Sequence, residues 1–262
     1  MWNQNQIQQH REVANMLHTI IRKTVEFVKE RKNVDEYEVQ SFILEQMHSF
    51  GITMDGDKPI VAFGQNTSIV HYFPQKKTSK KLENNALILL DVWGRLKKSR
   101  APYADMTMMF YIGKQVPLEY VRYFNYVCKT RDAIVKEIKL SVKKGLYPVG
   151  KRLDTLARMM LKKNNVDQYF LHGLGHSLGT TQPHGIYAGL RRRKSKKKIV
   201  NSLGYTIEPG LYVKGKFGVR SEIDFYIDEE DTIIVTTPVQ NKIQKITNKP
   251  ASSAGPPKRR SS

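Results

Sequence analysis

Ala86-Leu-Ile-Leu-Leu-Asp-Val-Trp93 and, after a basic turn, Asp105-Met-Thr-Met-Met-Phe-Tyr-Ile112 form the stretch on which the fold turns. The first run is apolar without a break up to Asp91. The second alternates Met106, Met108, Phe110 and Ile112, so both read as strands. Gly94 to Ala101 is the turn between them, and a hairpin would put Asp91 and Asp105 on neighbouring strands. A carboxylate buried unpaired in such a run costs several kcal/mol, so Asp91 requires a metal or a basic partner. Asp105 on its own reads first as an ordinary strand-start or turn aspartate.

On the amino-terminal side, Val13, Met16, Leu17, Ile20, Ile21, Val25 and Val28 recur at helical spacing within Ile7 to Arg31. Asp35 caps a second helix that carries Val39, Phe42, Ile43 and Met47 and stops at Gly51. Pro59 to Gly64 reads as a short strand. On the other side, Pro117 opens a long helix through Leu140, and Arg152 to Lys163 is a further one. Strand and turn signals take over from Val166, with strands at Gly204 to Gly210, Val219 to Ile227 and Thr232 to Thr237. Helices and strands mix without regular βαβ alternation, which predicts an α+β fold. One domain over residues 1–245 is expected, followed by a disordered basic tail over 246–262 that is rich in Pro, Ser and Lys or Arg.

The 262 residues are about 40% apolar, enough for a substantial core. The single cysteine, Cys128, excludes an internal disulfide framework and a cysteine-based zinc site. No stretch approaches the roughly 18–20 apolar residues of a membrane span, and the Gln-rich start lacks the apolar core of a signal peptide. A cytoplasmic protein is the expectation. The formal charge of +20 is concentrated in runs such as Arg191 to Lys198 and Lys258 to Arg260. These read first as solvated loops, with weak polyanion binding as the alternative expectation.

Five residues stand out as one metal site: Asp91, Asp105, His176, Glu208 and Glu222. Four carboxylates and one neutral imidazole suit a pair of divalent ions better than one. Glu208 lies in Thr206-Ile-Glu-Pro-Gly210. Glu222 lies in Val219-Arg-Ser-Glu-Ile-Asp-Phe225, where alternation puts Arg220 and Asp224 on its face; Asp224 fits a solvent-facing stripe. Phe170 to Gly185 holds three histidines, His172, His176 and His184, among four glycines. Glycines permit close backbone approach. Histidines so placed coordinate metal, stabilise an oxyanion or shuttle protons.

These residues sit in recognisable contexts: Ile60-Val-Ala-Phe-Gly with His71, Leu90-Asp-Val-Trp-Gly, Tyr103-Ala-Asp-Met-Thr, His172-Gly-Leu-Gly-His-Ser-Leu-Gly, Ile207-Glu-Pro-Gly-Leu-Tyr and Gly218-Val-Arg-Ser-Glu. Together, over roughly residues 10 to 245, the chain resembles the pita-bread metallopeptidases, and within them the Xaa-Pro aminopeptidase and prolidase branch more than the related methionine aminopeptidases. The resemblance implies a curved antiparallel sheet flanked by helices. It implies two divalent ions, manganese first, with cobalt, zinc or iron as alternatives. Asp91 would serve one ion, Asp105 and Glu222 would bridge both, and His176 and Glu208 would complete the second. A metal-bridged hydroxide would attack short Xaa-Pro peptides, with Glu208 passing the proton and His71 and His184 acting on the substrate. His172, Arg220, His71 and His184 would bind it. A homodimer is a further expectation. His184 lies one residue further from His176 than the family pattern, and the stretch before Asp91 is too short for the N-terminal domain that full-length members carry. Two alternatives remain: a non-catalytic pita-bread module binding protein or nucleic acid, and a methionine aminopeptidase. The basic loop Ala188 to Lys198 would favour acidic peptides or a substrate carboxylate if it folds near the pocket.

Overall fold

Strands β3 (Ala86–Leu96) and β4 (Ala104–Ile112) pair antiparallel, with Asp91 opposite Thr107 and Trp93 opposite Asp105. This is a computed structural model that describes residues 1–31, 33–191 and 196–247. β3 is apolar without a break from Ala86 to Leu90 because both faces are covered. Ile88, Leu90 and Val92 join a core with Val13, Leu17 and Ile20 of α1 (Gln4–Glu30) and Val39 and Ile43 of α2 (Glu36–Ser49). Leu87, Leu89 and Trp93 join a second core on the opposite face. The period of two places Asp91 on that second face. On β4, Asp105 and Thr107 share the face of Met109 and Tyr111, so both acidic residues look into the middle of the molecule.

The first sheet runs in the order β1 (Ile52–Thr53), β3, β4, β12 (Gln244–Ile246), with β2 (Ile60–Phe63) also on β3. The second runs β11 (Ile233–Val235), β10 (Ile223–Ile227), β7 (Gly204–Ile207), β5 (Gly175–Leu178), β6 (His184–Leu190). A separate pair joins β8 (Gly210–Val213) to β9 (Phe217–Arg220). The described strand pairs are antiparallel except β12 on β4, which is parallel. Helices α3 (Leu118–Val142) and α4 (Gly150–Lys162) contribute Phe124, Val127, Ile134, Leu153 and Ala157 to the second core. The architecture is the α+β mixture that the sequence predicts. No helix among the described residues is long and apolar enough to cross a membrane.

Local chemistry explains the boundaries. Asp35 accepts from Glu38 N, and the Glu38 side chain accepts in return from Asp35 N, a capping box that starts α2. Two expectations are corrected. Val219 to Ile227 is not one strand: it breaks at Ser221 and Glu222, where Ser221 N donates to Pro209 O. The tail does not begin at 246, because Ile246 is buried and ends β12 against Ile112. The remainder of the expected tail, 248–262, lies outside the described residues.

Candidate metal centre

Asp91, Asp105 and Glu222 each offer a carboxylate oxygen, and these atoms lie within 4.8 Å of one another. All three side chains are buried. The first two arrive on the β3–β4 hairpin. Glu222 arrives from the break between β9 and β10, which leaves its side chain free to turn inward. Arg131 of α3, fully buried, holds that corner: its guanidinium donates to Ser221 Oγ at 2.5 Å and to Gln240 O at 2.7 Å.

His176 enters from β5. Gly175 before it lies so close to β7 that a Cβ there would sit 2.2 Å from Thr206 O, so only glycine brings this strand in. His176 Nδ1 is 3.1 Å from Ser177 O, which assigns the proton to Nδ1 and leaves the Nε2 lone pair free. Nε2 stands 3.5 Å from Glu208 Oε1 and 3.7 Å from Asp105 Oδ2. Glu208 occupies the turn between β7 and β8. Its backbone N donates to Leu174 O at 2.8 Å, and Thr206 Oγ1 donates to its carboxylate at 3.2 Å. All five expected ligands therefore converge.

The electrostatics fit a cation. Burial pushes the Asp105 and Glu222 carboxyls well above their ordinary range, and neighbouring carboxylates push them further. Burial lifts Glu208 to about 7. Burial also outweighs Arg220 at Asp91, whose carboxyl is raised. His176 is held well below its usual value by burial and then by His184, so its imidazole is neutral. Asp91 Oδ1 is buried without a hydrogen-bond partner among the described residues. Crowded anionic oxygens, an orphaned carboxylate oxygen and one neutral imidazole form a donor set suited to Mn, Co, Fe or Zn.

The other expected residues divide. His71 and His184 line a cavity of about 490 Å³ together with Asp91, Asp105, His176 and Glu222, and both are exposed at its wall. The His184 ring sits 4.1 Å from that of His176, edge-on. His172 is placed differently from the expectation. It is not among the lining residues, and both ring nitrogens are engaged, Nδ1 at 2.8 Å from Gly173 O and Nε2 at 2.9 Å from Tyr212 OH. Burial and then Arg220 hold it down to about 3. Arg220 lines the cavity floor, but its guanidinium is committed: it donates to Asp91 and, at 2.8 Å, to Thr107 Oγ1. Asp224 is not solvent-facing; it is fully buried and accepts from Asp105 N at 2.8 Å. Residues 192–195 of the basic loop lie outside the described residues.

Several supporting residues carry no local signal in the sequence. Thr107 Oγ1 donates to Glu222 Oε2 at 2.7 Å. Glu36 is buried at the start of α2 and accepts from Phe63 N at 2.7 Å, Lys80 N at 2.9 Å and Tyr72 OH at 2.6 Å, fixing the segment that carries His71. Only the buried carboxylate of Glu36, in contact with a Tyr next to His71, ties them together, and that pairing spans 36 residues.

The raised carboxyls set a pH signature for the metal-free protein. A carboxyl that holds its proton more tightly when folded makes the fold bind more protons, so stability is lost as pH rises through its folded pKa. The buried histidines act in the opposite direction, and their effect fades as pH rises past their unfolded value of 6.5. Between pH 6.5 and 8 the carboxyls dominate. In chelator, the unfolding temperature should fall across that window; Glu208 alone contributes roughly 1 kcal/mol, or about 2–4 °C. Added divalent ion should raise the unfolding temperature more at pH 8 than at pH 6.5. A thermal scan showing the opposite trend would rule out this distribution of charge.

Comparisons with known proteins agree with the geometry. Residues 8–229 match the model of metallopeptidase family M24. The chain is 30% identical over 213 residues to a probable Xaa-Pro aminopeptidase P of Aspergillus clavatus, covering 76% of this chain and 29% of that protein. The chain thus spans less than a third of that relative's length. Its fold is shared with the X-Pro aminopeptidase of Thermotoga maritima, at a TM-score of 0.80 and 22% identity over 93% of this chain and 64% of that one. It is shared also with an X-prolyl aminopeptidase of Caenorhabditis elegans described as a cytosolic enzyme with a di-nuclear active site, at a TM-score of 0.74 and 23% identity over 91% and 40%. The arrangement of sheets and helices is the pita-bread fold that the sequence implied.

Proposed function

Because the chain belongs to metallopeptidase family M24, we propose that it is a dinuclear metal-dependent aminopeptidase or dipeptidase acting on short Xaa-Pro peptides. The observation that carries this reading is the convergence of four carboxylates and a neutral imidazole on one wall of a cavity large enough for a short peptide. The likeness to Xaa-Pro aminopeptidases supports the choice of substrate.

Asp91, Asp105 and Glu222 would hold one ion, with Asp105 and Glu222 shared and His176 and Glu208 completing the second. Bound ions supply a water that deprotonates near neutral pH and a Lewis acid for the scissile carbonyl. Manganese is the ion we assign first. Glu208 would take the proton of the attacking water and return it to the leaving amine, a role supported by its place on the cavity wall and by a carboxyl that burial lifts to about 7. Thr206 Oγ1 orients that carboxylate. His71 and His184, at the cavity wall, hold the substrate and stabilise the charge that develops on its carbonyl oxygen. Arg220 and Thr107 position Asp91 and Glu222 rather than touching the peptide. The cytoplasm is the setting we assign, in keeping with one buried free cysteine.

A peptide library digested with added manganese or cobalt tests this reading. Release of the first residue from Xaa-Pro peptides is expected. Release of methionine from Met-Ala termini, with no cleavage before proline, would instead make the chain a methionine aminopeptidase. No cleavage with either metal would leave the non-catalytic binding module.

A further inference from the structure

Arg131 carries a full charge on α3 yet is completely buried, and each N–H of its guanidinium is engaged. Nη1 donates to Ser221 Oγ at 2.5 Å and to Gln240 O at 2.7 Å. Nη2 donates to Asn241 Oδ1 at 2.8 Å and reaches Asp132 Oδ1 at 2.8 Å, and Nε donates to that same carboxylate oxygen at 2.9 Å. A planar fork with all its donors used is held in one orientation. Its ion-pair partner is a poor reason for the burial, because the Asp132 side chain is 58% exposed and screened by water. The other three contacts explain it better.

Those contacts lead to the two carboxylates assigned to both ions. Ser221 immediately precedes Glu222. Gln240 grips β4 in both directions: Met109 N donates to Gln240 Oε1 at 2.8 Å, and Gln240 Nε2 donates to Met109 O at 2.7 Å. Asp105, Thr107 and Met109 share one face of that strand, and Thr107 Oγ1 donates to Glu222 Oε2 at 2.7 Å. The bonds close a circuit, from β4 through Gln240, Arg131 and Ser221 to Glu222, and back to β4 through Thr107. A carboxylate that serves one ion can follow it by turning. A carboxylate shared by two must present an oxygen to each at once, so the placement of its backbone matters more. We propose that Arg131 is a positioning residue of the metal centre: acting through Ser221 and Gln240, it fixes Glu222 against Asp105 so that both carboxylates can bridge. The proposal rests on the dinuclear reading above, and Arg131 itself touches neither ion nor peptide.

Manganese titration of the chelator-stripped protein tests it. Calorimetry gives the number and affinity of the ions, and electron paramagnetic resonance separates coupled ions from isolated ones. Ser221→Ala removes only the hydroxyl that the guanidinium grips. It should weaken binding of the second ion by roughly tenfold or more and replace the coupled signal by that of isolated ions. Arg131→Gln should do the same, and the double variant should lose no more than the weaker single one, because both cut one link. Asn241→Ala is the control: Asn241 is exposed, and its loss takes a bond from Arg131 without touching Ser221. That variant should keep the parent's manganese affinity and coupled signal whatever its unfolding temperature. If Arg131→Gln does not fold, Ser221→Ala decides alone. A Ser221→Ala protein that binds two ions with the parent's affinity and coupled signal overturns the proposal. So does an Asn241→Ala protein that loses as much as Ser221→Ala, since affinity would then only follow stability. A parent that never binds two ions overturns the dinuclear reading and this proposal together.

Discussion

Replacing His176 with alanine is expected to lower metal-dependent kcat/KM by at least about a thousandfold, which corresponds to about 4 kcal/mol of transition-state stabilisation. His176 Nε2 faces both Asp105 and Glu208, at 3.7 and 3.5 Å, so its removal opens the junction between the shared carboxylate and the proton-handling one. The other described imidazole beside Glu208, that of His172, stands 3.9 Å from its carboxylate and has both ring nitrogens engaged elsewhere. The His184 ring lies against His176 edge-on, and both line the cavity. The fold should survive, because the one hydrogen bond that the ring makes is to the carbonyl of the adjacent Ser177. The metal-free variant should therefore unfold within a few degrees of the unmodified protein, while the stabilisation by added ion shrinks. Turnover retained by His176→Ala would remove the imidazole from the metal set.

Arg220→Ala should produce the largest loss of stability, roughly 3–5 kcal/mol, or a fall of about 6–20 °C in unfolding temperature. Arg220 is buried and is the basic partner of Asp91; it also donates to Thr107, which in turn donates to Glu222. Without it, Asp91 is a buried anion among anions. Burial already raises that carboxyl against the pull of Arg220, so in the variant it takes up a proton more readily. The deficit should then be smaller at pH 5.5 than at pH 8, since stability gained by a raised carboxyl is lost as pH rises. Divalent ion should recover part of it by supplying the missing positive charge. Arg220→Lys should fall between the two, because an ammonium keeps the charge and loses the fork that reaches Asp91 and Thr107 at once. An Arg220→Ala protein as stable as the parent without metal would show that the pair contributes nothing.

Three of the five candidate ligands stand out in the sequence because they violate their surroundings, while Asp105 and Glu222 join them through the family resemblance. Asp91 interrupts an apolar strand, Glu208 sits before a Pro-Gly turn and His176 sits among glycines. The α1, α2, β3 and β4 elements were legible for the converse reason: their periodicity is regular, and the capping residue Asp35 announces α2. What escaped depends on partners far apart in the chain. Asp224 looks like one more charge on a strand, yet it accepts from the backbone of Asp105, 119 residues away. Arg131 looks like one basic residue on a long helix, yet it is fully buried and holds the Ser221 corner 90 residues on. The break at Ser221 and Glu222 is hard to see because Arg220, Glu222 and Asp224 alternate straight through it, with Ser221 the one polar residue in the apolar register; a backbone bond from Ser221 to Pro209 marks the split. The resemblance implies a substrate-binding role for His172, and its Nε2 is engaged by Tyr212, a partner 40 residues away. Strand β12 is too short to show a period.

Metal stoichiometry tests the central claim most directly. Purified protein should be stripped with chelator, reloaded with manganese, dialysed and analysed for metal per chain by plasma mass spectrometry, beside a Glu222→Ala variant. The account predicts two ions per chain in the unmodified protein and fewer in the variant, since Glu222 shares its carboxylate with the cluster of Asp91 and Asp105. An unmodified protein that retains no ion, or a variant that retains as many as the parent, would contradict it.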